Sequence, residues 1–448
     1  MSLVAETSAG HKMEMGEANT LPQTNHQRSR SSICIVSFSV IGRDGRVLRQ
    51  IKHLAAKYCL SIVGYGDPPP DYATRTGVRW YRVDLLESPS SELCSRPGER
   101  KRKCCKRRYQ FVRRALDRLT NGILLSLGRV RPTFFEAWYW SKQHHRQALE
   151  YAIQSHCDAL LANDWEALPV AVAVANRTGA KLVFDAHEYA PLEFANSLSW
   201  RFFFRPAVVH FLQKGSPQID ASVAAWPAIS ERYRQEFGLE PLVLLNIPEG
   251  VALREKAMNF NNVRLVHHGV AIRGRKLENM INALAMSHTR FRLHFMLIHG
   301  DPGYLDELKE LAEKGAPGRI IFEDPVQPEE IVKRISEFEI GFYLLAPTNF
   351  NNRMALPNKL FDFITAGIAV CIGPSPAMAE IVRQYGLGWV TPSFEPKDVA
   401  ETLNQITHDE LLNRRSASIE TAKKMNAPAE MSKLLNIYDR LLYSTDAL

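Results

Sequence analysis

Strand-like runs alternate with helical patterns twice along this chain, and the double alternation predicts two doubly wound α/β domains with parallel sheets. Three observations carry that prediction. A first series of apolar, strand-like runs lies at 32–40, 60–66, 78–84, 158–164, 181–188, 221–226 and 242–246. A second lies at 263–269, 293–300, 319–324, 340–345, 368–372 and 388–392, with helical periodicity between its members at 276–287, 304–314, 328–337, 357–366, 376–385 and 396–407. Between the two series, 246–262 has no core pattern and reads as a linker.

The elements then fall in order. Residues 1–32 lack an apolar core segment, so they are expected to be a disordered tail and not a signal peptide. The first domain is expected over 33–250. It opens with SICIVSFSV, a run buried on both faces, followed by the polar loop IGRDGR and a helix through Val47, Ile51, Leu54 and Ala55. A basic insertion at 96–131 interrupts it, and 134–157 then resumes a helical pattern, with a helix over 166–177. The second domain is expected over 251–425, and 426–448 as a closing helix able to pack back on the first domain.

Composition narrows the function classes. With 448 residues and 45% hydrophobic residues, the chain can bury two large cores. No apolar run approaches the 18 residues or so of a membrane span. The seven cysteines are odd in number and lack C-x-x-C spacing, the pattern of free thiols in a reducing cytoplasm rather than of a disulfide framework or zinc site. Net charge is +8, yet 96–118 alone carries 11 Lys/Arg and 2 acids, a local +9, leaving the rest near −1. From Tyr109 onward this segment reads as a basic amphipathic helix suited to an anionic membrane surface, or as a disordered charged insertion. With only Tyr109 and Phe111 placed to stack, nucleic acid is not the expected partner.

Candidate chemistry sits at strand ends, where ligands of doubly wound sheets bind. After the first strand, Gly42 and Gly45 allow either a close backbone approach to an anion or a plain tight loop. Asn163 and Asp164 end one strand, as candidates or as a helix cap. Asp185, His187 and Glu188 end another. No metal-ligand spacing accompanies them, so no metal is expected. In HHGVAIRGRK (267–276), Gly269 ends a strand and Arg273, Arg275 and Lys276 precede a helix start. Cations there oppose the helix dipole, and a bound diphosphate explains them; otherwise they form a solvated basic loop. In LPNKLFDFITAGIAV (356–370), Asp362 lies between two phenylalanines, on a helix stripe with Asn358 and Thr365. It is either a solvated acid or a ligand contact.

Together KLVFDAHE (181–188), GVAIRGRK (269–276) and LPNKLFDFITAGIAV followed by AEIV (379–382) resemble the bacterial retaining glycosyltransferases of family 4. The resemblance spans 33–425 and implies the GT-B fold, two Rossmann-like domains facing a central cleft. It implies metal-independent transfer, with retention, from a UDP-, GDP- or dTDP-sugar to a glycan or lipid-linked acceptor hydroxyl in cell-surface polysaccharide or glycolipid synthesis. The protein would then be cytoplasmic or peripheral on the inner face of the membrane, and would need no separate cofactor. Arg275 and Lys276 occupy the place of the diphosphate-binding pair, and His187 that of a histidine lining the cleft. These three form the expected catalytic group. Asp362 stands where the family has a Glu reading the ribose hydroxyls, with Gly42, Gly269, Arg273, Asn358 and Lys359 also on the donor side. Asp185, Glu188, Asn163 and Asp164 fall on the acceptor side. The family's second Glu, eight residues before Asp362, is Met354 here, so its contact is absent or comes from 351–353, Asn358 or Lys359. A sugar-nucleotide epimerase, or a non-catalytic membrane- or RNA-associated binding protein, are the competing readings.

Overall fold

The computed structural model describes residues 30–84, 119–252, 258–347 and 349–443. The expected tail, except for residues 30–32, and the basic run 96–118 lie outside them. Thirteen strands are present among the described residues, in two parallel sheets. The first holds β1 (Ser32–Val40), β2 (Cys59–Tyr65), β3 (Val78–Arg82), β4 (Ala159–Asn163), β5 (Lys181–Ala186), β6 (Ala221–Ala224) and β7 (Leu242–Val243), in the order β3-β2-β1-β4-β5-β6-β7. The second holds β8 (Val263–Val270), β9 (Phe291–Ile298), β10 (Ile320–Glu323), β11 (Ile340–Tyr343), β12 (Ala369–Ile372) and β13 (Gly388–Val390), in the order β10-β9-β8-β11-β12-β13.

Both sheets are covered on two faces, which is why their strands read as continuous apolar runs. In β1, Ile33, Cys34, Ile35 and Val36 are all fully buried. Strand order reverses between β1 and β4 in the first sheet and between β8 and β11 in the second. At such a point the flanking connections diverge to opposite sides and leave a crevice at the strands' carboxyl ends.

Two expectations need correction. The helical pattern expected over 134–157 is two helices, Thr133–Ser141 and Gln143–Gln154, broken at Lys142, whose backbone is extended. At the break the Tyr139 carbonyl accepts from the Lys142 amide at 3.3 Å, and the buried His145 Nδ1 faces the same oxygen at 2.9 Å while its ring stacks on Tyr139. Asp362 and Thr365, on the helix Asn358–Thr365, are buried rather than solvated; His268 near the end of β8 lies against Asp362.

The last helix, Ala427–Tyr443, lies on the first sheet and shares a core with Ile33, Ile35, Ile62 and Leu161. Tyr438 donates to the Leu160 carbonyl at 3.2 Å, and Glu430 accepts from the Leu245 amide at 2.9 Å. The chain thus leaves the first domain, builds the second, and returns to the first. No helix among the described residues is long and apolar enough to cross a membrane.

Candidate functional site

In the second domain, His267, His268 and Gly269 lie near the end of β8, just before Val270, and His267 Nδ1 faces the Phe342 carbonyl of β11 at 3.0 Å. Gly269 has φ +131°, a conformation that side-chain-bearing residues rarely adopt. A Cβ there would come within 2.8 Å of Lys359 Nζ and 3.3 Å of an Arg275 guanidinium nitrogen. The missing side chain therefore lets two cations converge over the strand end. Arg275 is anchored by donating to the Val270 carbonyl at 3.1 Å, and Lys359 lies over the Tyr343 ring at 5.2 Å. Burial, then the nearby Arg275, pulls the Lys359 ammonium down to about 7, against the attraction of Asp362. Two cations held this close, with no ion pair to either among the described residues, present a site whose charge an anion would balance.

Asp362 Oδ2 lies 3.3 Å from His268 Nε2. Burial keeps His268 below its ordinary range in spite of that carboxylate, so near neutrality the imidazole is mostly uncharged and the acid keeps acceptor capacity for a ligand. The structure thus gathers Gly269, Arg275, Lys359 and Asp362, and adds His268 and Tyr343, which motif reading missed. The signal for His268 was its place just before the strand-end glycine. Other candidates stand apart. Arg273 is exposed and engaged by Glu307, with its guanidinium over Tyr304. Lys276 is exposed and holds a left-handed backbone at φ +49°. Asn358 hydrogen-bonds Asn246 of the linker. Asn351 is buried and ties the domains together, accepting from the Tyr189 amide at 3.2 Å and donating to Glu188 at 3.2 Å. Met354 ends the short helix Phe350–Met354 and offers no carboxylate.

The first domain contributes a second polar centre. Asp185, fully buried at the end of β5, accepts from Arg46 Nε at 2.8 Å and from its terminal nitrogen at 2.7 Å, with Gln50 at 2.5 Å. Burial opposes its charge, yet Arg46 and then His187 hold its carboxyl well below the usual carboxylate range. His187 Nε2 faces Asn163 Oδ1 at 3.1 Å and Asp185 at 3.6 Å. Burial works against a charged imidazole, but Asp185 outweighs it and raises His187 above its ordinary value. Asp185 is therefore a positioning group behind His187. Asp164 begins the helix Asp164–Thr178 with φ +70°, and its carboxylate accepts from the Trp165 amide at 2.7 Å.

The start of the helix Gly45–Leu54 is already occupied. Asp44 accepts from the amides of Arg46 at 3.1 Å and Val47 at 3.2 Å, the groups an anion would use. A Cβ at Gly42 would meet Asp67 and Pro69 only at ordinary contact distance, so no close approach requires a glycine there. One group among the described residues has metal-ligand types, His144, His145 and Glu166. Both nitrogens of His145 face protein oxygens, Tyr139 O at 2.9 Å and Glu166 at 3.0 Å.

The domains face each other near these centres. Arg49, from the helix Gly45–Leu54, hydrogen-bonds Asn246 and is close enough to Asp362 to feel its charge; burial pulls its guanidinium down to about 10.

The chain matches no protein-family model and no curated protein sequence. Solved structures do resemble it in fold. Anabaena HepE in complex with UDP-glucose aligns at TM-score 0.61 and 12% identity, over 90% of this chain and 98% of that one. Sucrose-phosphate synthase from Thermosynechococcus elongatus aligns at TM-score 0.62 and 14% identity, over 92% and 99%. A structure described as trehalose-6-phosphate from E. coli, bound with UDP-2-fluoro glucose, aligns at TM-score 0.56 and 13% identity, over 92% and 100%. These neighbours are GT-B glycosyltransferases, and the chain shares their fold of two Rossmann-like domains.

Proposed function

We propose that this protein transfers a glycosyl unit from a nucleoside diphosphate sugar to an acceptor hydroxyl. The observation that carries the reading is the convergence of Arg275 and Lys359 at the β8/β11 switch point, beside the buried acid Asp362. When the glycosidic bond breaks, the leaving diphosphate gains negative charge. Fixed cations placed where that charge develops stabilise it more than they stabilise the bound donor. Asp362 would accept from the ribose hydroxyls. His187, held by Asp185 and Asn163, would meet the sugar end from the other domain. Neighbours of this fold solved with UDP and UDP-glucose support a nucleotide sugar as the donor.

We infer further that the reaction retains anomeric configuration and relies on these cations rather than a metal, as in family 4, and that it serves polysaccharide or glycolipid synthesis at the inner face of the membrane. Support for the membrane reading comes from the +9 segment at 96–118 together with the helical residues 119–128 that follow it. There Leu119, Ile123 and Leu127, spaced by four, are 63%, 49% and 42% exposed, an apolar stripe on one helix side.

Incubation with a panel of UDP-, GDP- and dTDP-sugars plus lipid extract tests the function, with released nucleoside diphosphate and labelled product as readouts. Released nucleotide with a sugar-labelled acceptor is the expected result. Epimerised donor, or no turnover with any donor, would overturn it.

A further inference from the structure

A pocket of about 270 Å³ opens at the carboxyl ends of β1, β4 and β5, on the β1/β4 switch point. Its charge is one-sided. Asp44, Asp164, Glu166 and Glu193 line it, and no Lys or Arg does. Only His187, among its lining residues, can carry positive charge. An independent feature points to a ligand. Asn163, 1% exposed, lines this pocket; its Oδ1 faces His187, while its Nδ2 has no partner among the described residues. A buried amide donor left without an acceptor is costly unless something else supplies the oxygen. Apart from Ser37 and Ser39, the rest of the wall is aromatic, from Phe38, Trp165, Phe194 and Trp200. Flat rings suit the C–H face of a sugar, since their electron-rich faces attract its weakly positive hydrogens.

Resting on the transferase reading above, we propose that this pocket seats an acceptor sugar ring that bears no negative charge, either neutral or aminated, and turns away phosphorylated and carboxylated rings. A ring hydroxyl accepts from Asn163 Nδ2, and further hydroxyls donate to the carboxylates. An anionic group entering here would meet acids with no fixed cation to compensate, the arrangement that proteins use to reject wrong partners. Acids crowd this pocket closely enough to repel one another. Burial, then Asp164 and Glu188, pushes the Glu193 carboxyl up to about 8, so it holds a proton near neutrality. An ammonium group on the ring would relieve that repulsion.

The test uses the purified full chain and calorimetric titration. The probes are methyl glycosides of glucose, galactose and mannose, the matching 2-amino sugars and 6-phosphates, and glucuronic acid. UDP is titrated in parallel. At least one neutral or amino sugar should bind, with its phosphorylated counterpart weaker by about tenfold or more. In Glu193→Lys the gap should narrow or reverse. Wild-type protein alone can overturn the proposal: a phosphorylated or carboxylated sugar bound as tightly as its neutral counterpart does so, and so does binding of no sugar at all. A folded Glu193→Lys protein with unchanged relative affinities also overturns it, because the ring then sits elsewhere. If sugars fail while UDP binds, the acceptor assignment falls and the transferase reading stands. If UDP also fails to bind, the transferase reading itself falls.

Discussion

The guanidinium of Arg46 grips the carboxylate of Asp185 through two hydrogen bonds, at 2.7 and 2.8 Å, with both groups out of contact with water. Arg46 comes from the helix after β1 and Asp185 from the end of β5, so the pair clamps elements 139 residues apart in sequence. Removing one partner strands the other as a buried charge. Arg46→Met should cost about 3–5 kcal/mol of stability. Asp185 has its carboxyl lowered in the folded state, so its contribution is present above the unfolded carboxylate value of about 4 and is lost as pH falls below it. Thermal melts from about pH 7 down to pH 3 should show wild-type protein losing stability that the variant never had. Equal melting at neutral pH would refute the clamp.

Asp362→Ala should weaken binding of UDP or GDP by about tenfold or more, since a hydrogen bond to a charged acceptor is worth roughly 1.5–3 kcal/mol. His268 is mostly neutral and is not left as a buried charge, but Arg49 and Lys359 lose the attraction of the carboxylate, so a thermal melt first establishes that the variant is folded. Asp362→Glu should retain binding. Calorimetric titration decides, and unchanged affinity in the alanine variant removes Asp362 from the site.

Lys359 gives the nucleotide site a pH signature. Its ammonium, near 7 in the free protein, is largely neutral at about pH 8.5. A bound diphosphate favours the charged form and raises it, so binding at that pH should take up close to one proton. Affinity should therefore fall as pH rises above about 7. Titration in buffers of different ionisation enthalpy counts the proton. In Lys359→Arg, which stays charged, both the uptake and the pH slope should vanish. A wild-type proton count of zero would place the diphosphate away from Lys359.

The basic segment can be tested by flotation with liposomes. Binding should need anionic lipid, fall with salt, and disappear when residues 100–103 and 106–108 are changed to Ser; each cation near such a surface contributes about 1 kcal/mol. With the basic residues intact, replacing Leu119, Ile123 and Leu127 with Ser should weaken binding without unfolding the protein, since these side chains are already largely in solvent and their loss does not open the core. Equal binding to neutral liposomes would refute an electrostatic attachment.

What the sequence determined by itself is the pair of sheets and the shortlist of polar strand ends. Periodicity is a property of neighbouring residues, so runs such as 32–40 and 263–269 declare buried parallel strands with no knowledge of partners. Motif spacing placed Gly269, Lys359 and Asp362 on the page for the same reason. The tertiary structure decided which of these meet. Arg273, Arg275 and Lys276 read alike along the chain, but only Arg275 turns to Lys359, because a 3-10 turn aims it across Gly269 while Glu307 draws Arg273 outward. Asp362 read equally as a solvated acid or a ligand contact because a helix pattern shows only its own faces; the histidine that covers it comes from a strand more than ninety residues earlier. The acidic, aromatic pocket was invisible for the same cause. Its walls come from the ends of β1, β4 and β5 and the loop after them, separate stretches whose shared charge exists only once the sheet has brought them to one edge.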